Sequence, residues 1–296
     1  LLYGSDALGG VVQTAPADLF ASEAPVRGTL AVTGATVTQQ SEVEGHVGGV
    51  RGGVGAEVRG GALRAGLVRT PSGVIPNTAL ETQTLSSRLG TRLGERGQLI
   101  GEASAFRQDL GLFEAEDGSD LPATVSDRFA IALPRQSVAH DRAALRLGLP
   151  LGPDRLEVIA ALQQNRRREF EDEGGAADDP ALFLRLTTAT ADVRLQHRPL
   201  GRVFGTVGVS GLWQRNETLA EEALIPGGTT WNGAAYLAEQ LALPTVTLDA
   251  GLRADVRSLD VEANDDLGVA AQTRAYTALT GAVGAAWQPR PGLSLA

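Results

Sequence analysis

Cysteine is missing from this 296-residue chain. That excludes disulfides, thiolate nucleophiles and cysteine-held metals. Aromatic side chains are scarce, at 3 Trp, 3 Tyr and 7 Phe. Basic residues are outnumbered 26 to 35, for a net charge of −9. A binder of nucleic-acid backbones needs a basic face, so that class is excluded as the main activity. Histidine is rarer still: His46, His140 and His197 stand apart with no second ligand at metal spacing, and read as ordinary strand or turn residues. No Gly-x-Ser-x-Gly elbow with helical flanks is present, and no enzyme is expected. The chain opens on Leu1 without a signal peptide, and no run is long enough for a membrane helix. Two readings remain open, a soluble β-rich protein or a membrane barrel whose targeting sequence lies upstream. A barrel hides its membrane signal, because outward and inward side chains alternate along each strand.

What the chain does have is 37 glycines, 14 prolines and many alternating segments. In Arg155–Gln163, Leu156, Val158, Ala160 and Leu162 share one face, and Arg155, Glu157 and Gln163 the other. Ala143, Leu145, Leu147 and Leu149 likewise oppose Arg142 and Arg146. Val246, Leu248, Ala250, Leu252 and Ala254 oppose Thr247, Asp249, Arg253 and Asp255. Tight breaks fall near Gly52-Gly53, Gly94–Gly97, Gly152–Asp154, Pro199–Gly201, Leu243-Pro244 and Pro289–Gly292. Longer polar stretches lie between them: Thr70–Leu80, Phe113–Asp127, Phe170–Pro180, Asn216–Thr229 and Leu259–Thr273. Short and long connections are therefore expected to alternate strictly, as in barrels with tight turns at one rim and long loops at the other.

The first stretch, Leu2-Tyr3-Gly4-Ser5-Asp6-Ala7-Leu8-Gly9-Gly10-Val11-Val12-Gln13, reads as a glycine-rich turn opening into a strand. A dinucleotide fingerprint would need a strand before it and a helix after it. Tyr3, Gly4, Ser5, Ala7, Gly9, Gly10 and Val11, with Asp6 at a free position of the pattern, make it similar to the motif that ends the plug domain of TonB-dependent outer-membrane receptors, with Gln13 where Asn is commonest. Leu248–Asp255 resembles a Leu-x-x-Gly-Leu-Arg-x-Asp strand of those barrels, and Gly284–Leu295 the hairpin that follows it. The resemblance implies an all-β fold, a partial transmembrane antiparallel barrel of about 12–13 strands, roughly half of a plugged transporter. Residues 1–16 would end the plug, 17–27 form a linker and 28–296 begin the barrel. Unpaired sheet edges are costly in lipid, so the fragment is not expected to function alone.

The resemblance further implies energy-coupled uptake without covalent chemistry or cofactor, in the bacterial outer membrane. The expected partners are the TonB complex, reached through an upstream segment, the lipid bilayer with its lipopolysaccharide, and a small ligand. A ferric siderophore is the default cargo, with cobalamin, haem and oligosaccharide as alternatives; a passive porin or barrel adhesin is the rival class. Strand alternation puts Gln163, Asn165 and Arg167 on the lumen side, with Gln214 as a comparable candidate for ligand contact. For Arg166–Arg168, binding lipopolysaccharide phosphates or pairing with loop acids competes with ligand binding. Trp213, Trp231, Tyr236 and Trp287 are candidates for the interfacial girdle. Three acidic loops, around Glu114–Asp120, Glu171–Asp179 and Asp260–Asp266, read as solvated, with a calcium site as the alternative.

Overall fold

The computed structural model describes residues 17–114, 126–171, 179–220, 223–290 and, by backbone alone, 293–295. The motif residues Tyr3, Gly4, Ser5, Asp6, Ala7, Gly9 and Gly10 lie outside them, as does most of the first two acidic loops. Every regular element among the described residues is a strand. In chain order these are β1 (Arg27–Ala35), β2 (Gln40–Arg51), β3 (Val54–Ala65), β4 (Arg69–Thr70), β5 (Gly73–Val74), β6 (Leu80–Leu93), β7 (Gly97–Gly111) and β8 (Arg135–Leu151). There follow β9 (Asp154–Phe170), β10 (Leu182–Leu200), β11 (Val203–Thr218), β12 (Gly228–Ala242), β13 (Val246–Val261), β14 (Gln272–Arg290) and β15 (Leu293–Leu295).

Thirteen of these make one sheet in chain order, and β4 and β5 form a separate hairpin inside a loop. All neighbours in the large sheet are antiparallel, and β1 and β15 are its two ends. From β8 to β14 the strands run 15 to 19 residues. A tilted bilayer crossing needs only about 9–11, so these strands are long enough to project beyond the membrane.

Tight turns follow β2, β6, β8, β10 and β12, where the sequence had placed breaks. Gly52, Gly94, Gly152 and Gly201 take φ of 59°, 68°, 63° and 70° there, a region that side chains with a Cβ avoid. The strand ends joined by the long connections 66–79, 112–134, 171–181, 219–227 and 262–271 lie at the opposite rim. One connection departs from strict alternation. Residues 36–39 join β1 to β2 by a short turn at the long-loop rim. Its left-handed residue is Gln39, φ 51°, not a glycine, so no break was legible there.

The sheet has no ordinary core. Buried apolar residues form two small clusters, Leu19, Phe20, Val50 and Ile100, and Leu67, Val74 and Ala79. Large apolar groups are instead outside: Leu30 is 75% exposed, Leu279 71% and Val283 89%. Arg253 and Asp255, by contrast, are 5% and 7% exposed. Such an inverted distribution is incoherent for a protein in water, where exposed large apolar patches are small. It is coherent for a wall with lipid on one face.

Candidate functional site: the inner wall of the sheet

Register and alternation together decide which residues share a face. Across β8 to β13, Leu147, Val158, Val193, Val209, Ala235 and Ala254 stand opposite one another in one row. The next row toward the tight turns holds Leu149, Leu156, Leu195, Val207, Leu237 and Leu252. These rows belong to the outer, apolar face. Near its long-loop edge Trp213 and Trp231 are paired, with ring centroids 6.3 Å apart. Trp287 marks the other edge on β14, half exposed. Three of the four girdle candidates therefore lie outward. Tyr236 does not: its parity puts it inward, where it is 4% exposed and donates to Asp192 Oδ2 at 2.9 Å.

The inner face is polar. Arg142, Gln163, Thr188, Gln214 and Thr230 form one row across β8 to β12. Gln214 Nε2 donates to Thr188 Oγ1 at 3.1 Å, and Thr188 is buried. Two of the sequence candidates, Gln163 and Gln214, thus flank one threonine. Asn165 stands one inner position nearer the long loops, opposite His140 and Leu186. Arg167 stands one further, opposite Val138 and Leu184, with its Nε donating to Glu169 Oε1 at 2.9 Å. All four candidates lie on the inner face, with Arg167 held back by a carboxylate.

The triplet is divided between the faces. Arg166 points outward, where it and Arg107 each donate to Asp141 at 2.6 Å. Arg168 also points outward and lies over the Phe183 ring at 4.5 Å. Both sit beyond the apolar rows, on the side of the long loops.

Sequence reasoning missed a second inner network, nearer the tight turns. Arg194 Nε donates to Asp192 Oδ1 at 2.7 Å, beside the Tyr236 hydroxyl bond. Tyr236 reaches Asp192 across Gly208, where a Cβ would lie 2.5 Å from the tyrosine oxygen. Arg253 Nε donates to Asp255 Oδ2 at 2.9 Å, its Nη2 lies 3.3 Å from Ser210 Oγ, and its guanidinium carbon lies 5.6 Å from the Tyr236 ring. A signal was present: Arg253 and Asp255 fall on the non-apolar parity of their strand, so they had to face inward together.

These inner groups are amides, hydroxyls and paired ions, suited to orienting a polar ligand or a docked domain. Among the described residues no group of three His, Asp or Glu is placed to hold a metal ion. Asp260 accepts from Thr273 at 2.7 Å, and Glu262 pairs with Arg215 at 3.5 Å.

An open antiparallel wall, apolar outside and polar inside, with tight turns at one rim and long loops at the other, defines a partial transmembrane β-barrel. Residues 77–296 match the family model for the β-barrel of TonB-dependent receptor-like proteins, and the chain belongs to that family. Its fold is shared with the FrpB iron transporter of Neisseria meningitidis, TM-score 0.70 at 17% identity, over 91% of this chain and 44% of that one. The siderophore receptor PiuA of Acinetobacter baumannii gives 0.63 at 12%, over 90% and 47%. The ferric citrate transporter FecA gives 0.64 at 13%, over 90% and 42%. The chain spans less than half the length of these structures. No curated protein matches it by sequence.

Proposed function

We propose that this chain is the end of the plug, residues 1–16, and the first part of the barrel of an energy-coupled outer-membrane receptor, with a ferric siderophore as cargo. The observation that carries the reading is the division of the faces. The outer rows provide an unbroken apolar belt, while the inner face provides a row of hydrogen-bonding groups around Gln163, Thr188 and Gln214. A ligand with many oxygen donors suits such a row, since amides and hydroxyls donate and accept without the cost of burying a charge. The cargo follows three structural relatives named for iron transport or siderophore reception.

In this reading ligand binds from the long-loop side, and the TonB complex acts through a segment upstream of Leu1 to rearrange the plug. Arg166 and Arg168, outward and above the belt, meet lipopolysaccharide phosphates, for which planar guanidinium forks are well shaped. The test is growth of a deletion strain on individual ferric siderophores as sole iron source. Loss of growth on one siderophore, restored by the full-length gene, supports the reading. Unchanged uptake of every siderophore removes ferric siderophores as cargo.

A further inference from the structure

The most deeply buried side chain among the described residues does not belong to a strand. It is Leu19, fully buried in the stretch that reads as a featureless linker. It rests on an inner-face row of four paired residues, Val50, Gly55, Gly90 and Ile100. The two glycines make the room. A Cβ on Gly55 would lie 3.0 Å from Leu19 Cγ and 3.1 Å from Phe20 Cε1, and one on Gly90 would lie 3.0 Å from Leu19 Cδ2. At Gly55 the three nearest atoms to such a Cβ all belong to the seated pair.

The backbone of the stretch is held as well. Arg88 Nη1 donates to Ala17 O at 2.8 Å, Arg92 Nη2 lies 3.4 Å from Phe20 O, and Arg27 Nη2 lies 3.4 Å from Leu19 O. Arg88 and Arg92 flank Gly90 at two residues' distance on the same strand, so they bracket the seat along β6. Arg92 also pairs with Glu23 and lies over the Phe20 ring at 5.1 Å. Asp18 Oδ1 caps the Phe20 N–H at 3.0 Å, closing a local turn, and the Val50 N–H donates to Ala24 O at 3.0 Å. Arg88 is itself fixed between Glu57 at 3.1 Å and Glu102 at 3.3 Å.

We propose that Gly55, Gly90, Arg88 and Arg92 form a seat that keeps Leu19 and Phe20 clamped to the wall throughout transport, so that any movable segment ends before Ala17, whose carbonyl Arg88 holds. The barrel then holds the fixed end. This rests on the proposed function only for what moves; the seat itself is a property of the wall. Burying a leucine and a phenylalanine, with three arginine contacts to carbonyls, opposes release by far more than one hydrogen bond would.

The full-length receptor has a convenient probe if its remaining residues are also free of cysteine or made so. A thiol at Leu19→Cys is compared with one at exposed Val26→Cys, using maleimide labelling in outer-membrane preparations and in energised cells given ferric siderophore. Labelling at position 19 should be at least about tenfold slower than at 26 at rest, as for a site that reacts only on local opening, and should stay slower during uptake. Gly55→Val, a β-compatible change whose side chain enters the seat, should raise the position-19 rate to that of position 26. Equal resting rates with Gly55 present, or no response to Gly55→Val in a barrel that retains heat-modifiable mobility, overturn the seat. Acceleration at 19 on energisation overturns the fixed end. If the parent shows no energy-dependent uptake, the transport reading has failed, and the resting rates still decide the seat. Phe20→Cys gives the same resting comparison should Leu19→Cys fail to assemble.

Discussion

Replacing Leu252 by arginine separates a lipid-facing wall from a water-facing one. Leu252 is 51% exposed on the outer face of β13, midway between Leu248 and Val256. The eight residue steps between those two span about 27 Å of strand at ~3.4 Å per residue. A tilt of about 40° reduces this to roughly 21 Å along the bilayer normal, which puts Leu252 about 10 Å from either edge and near the midplane. An arginine there costs about 2–4 kcal/mol, or roughly 30- to 800-fold in the folding equilibrium. On a water-facing sheet the same change falls within about 0.5 kcal/mol. The assay is urea unfolding of the full-length receptor refolded into phospholipid vesicles. Ala275→Arg, on the outer face level with Trp231 and Ser258, is the control, because interface positions cost only about 0–1 kcal/mol. A Leu252→Arg protein as stable as the parent would refute the assignment of faces, and with it the barrel's place in a membrane.

Three further outcomes rest on the same division of faces and networks. Asp255→Asn leaves Arg253 buried beside a neutral partner and should cost about 3 kcal/mol in urea unfolding, whereas Asp255→Asn with Arg253→Gln should cost less. Trp213, Trp231 and Trp287 supply all the tryptophan emission of this part of the receptor. Single-tryptophan versions should be quenched by lipids brominated near the headgroup and little by lipids brominated at the chain end. If the proposed cargo is right, Gln163→Ala and Gln214→Ala should each weaken siderophore binding to whole cells about 5- to 10-fold, the equivalent of one hydrogen bond. Gln163→Ala should leave the urea midpoint unchanged, while Gln214→Ala, which removes the partner of buried Thr188, should also cost about 1–3 kcal/mol in unfolding; unaltered affinity for both would take the ligand off that row.

Much of this wall was legible because a β-strand's period of two is exact. Once Leu248, Ala250 and Leu252 are assigned outward, Arg253 and Asp255 must face inward, whatever the rest of the chain does. The glycine turns were legible for a related reason, since left-handed φ at Gly52 or Gly152 demands the residue that announces it. What escaped was whatever register alone decides. Tyr236 looks like a girdle aromatic until pairing with β11 places Gly208 beside it and Asp192 within reach. Alternation already puts Arg167 inward and so divides the arginine triplet between the faces; what escaped were the partners, Glu169 for Arg167 and Asp141 for Arg166. The Leu19 seat had no sequence signature at all. Its walls come from β2, β3, β6 and β7, and Gly55 and Gly90 meet only when those strands pair.

The two inner networks differ in kind, and the difference bears on how such a wall works. Arg142 on β8 and the Arg167–Glu169 pair nearer the long loops are charged, while across β9 to β12 one inner row is neutral, with Gln163, Thr188, Gln214 and Thr230 in sequence. Neutral donors form and break bonds at a net cost near 1 kcal/mol each, so a ligand can exchange with water there. Toward the tight turns the inner groups are ions already matched to one another: Asp192 to Arg194, Arg253 to Asp255, Arg88 to Glu57 and Glu102. Breaking such a pair costs several times more, so these groups resist rearrangement. Exchange is therefore easiest along the neutral row, and the matched ion pairs on either side of it resist rearrangement.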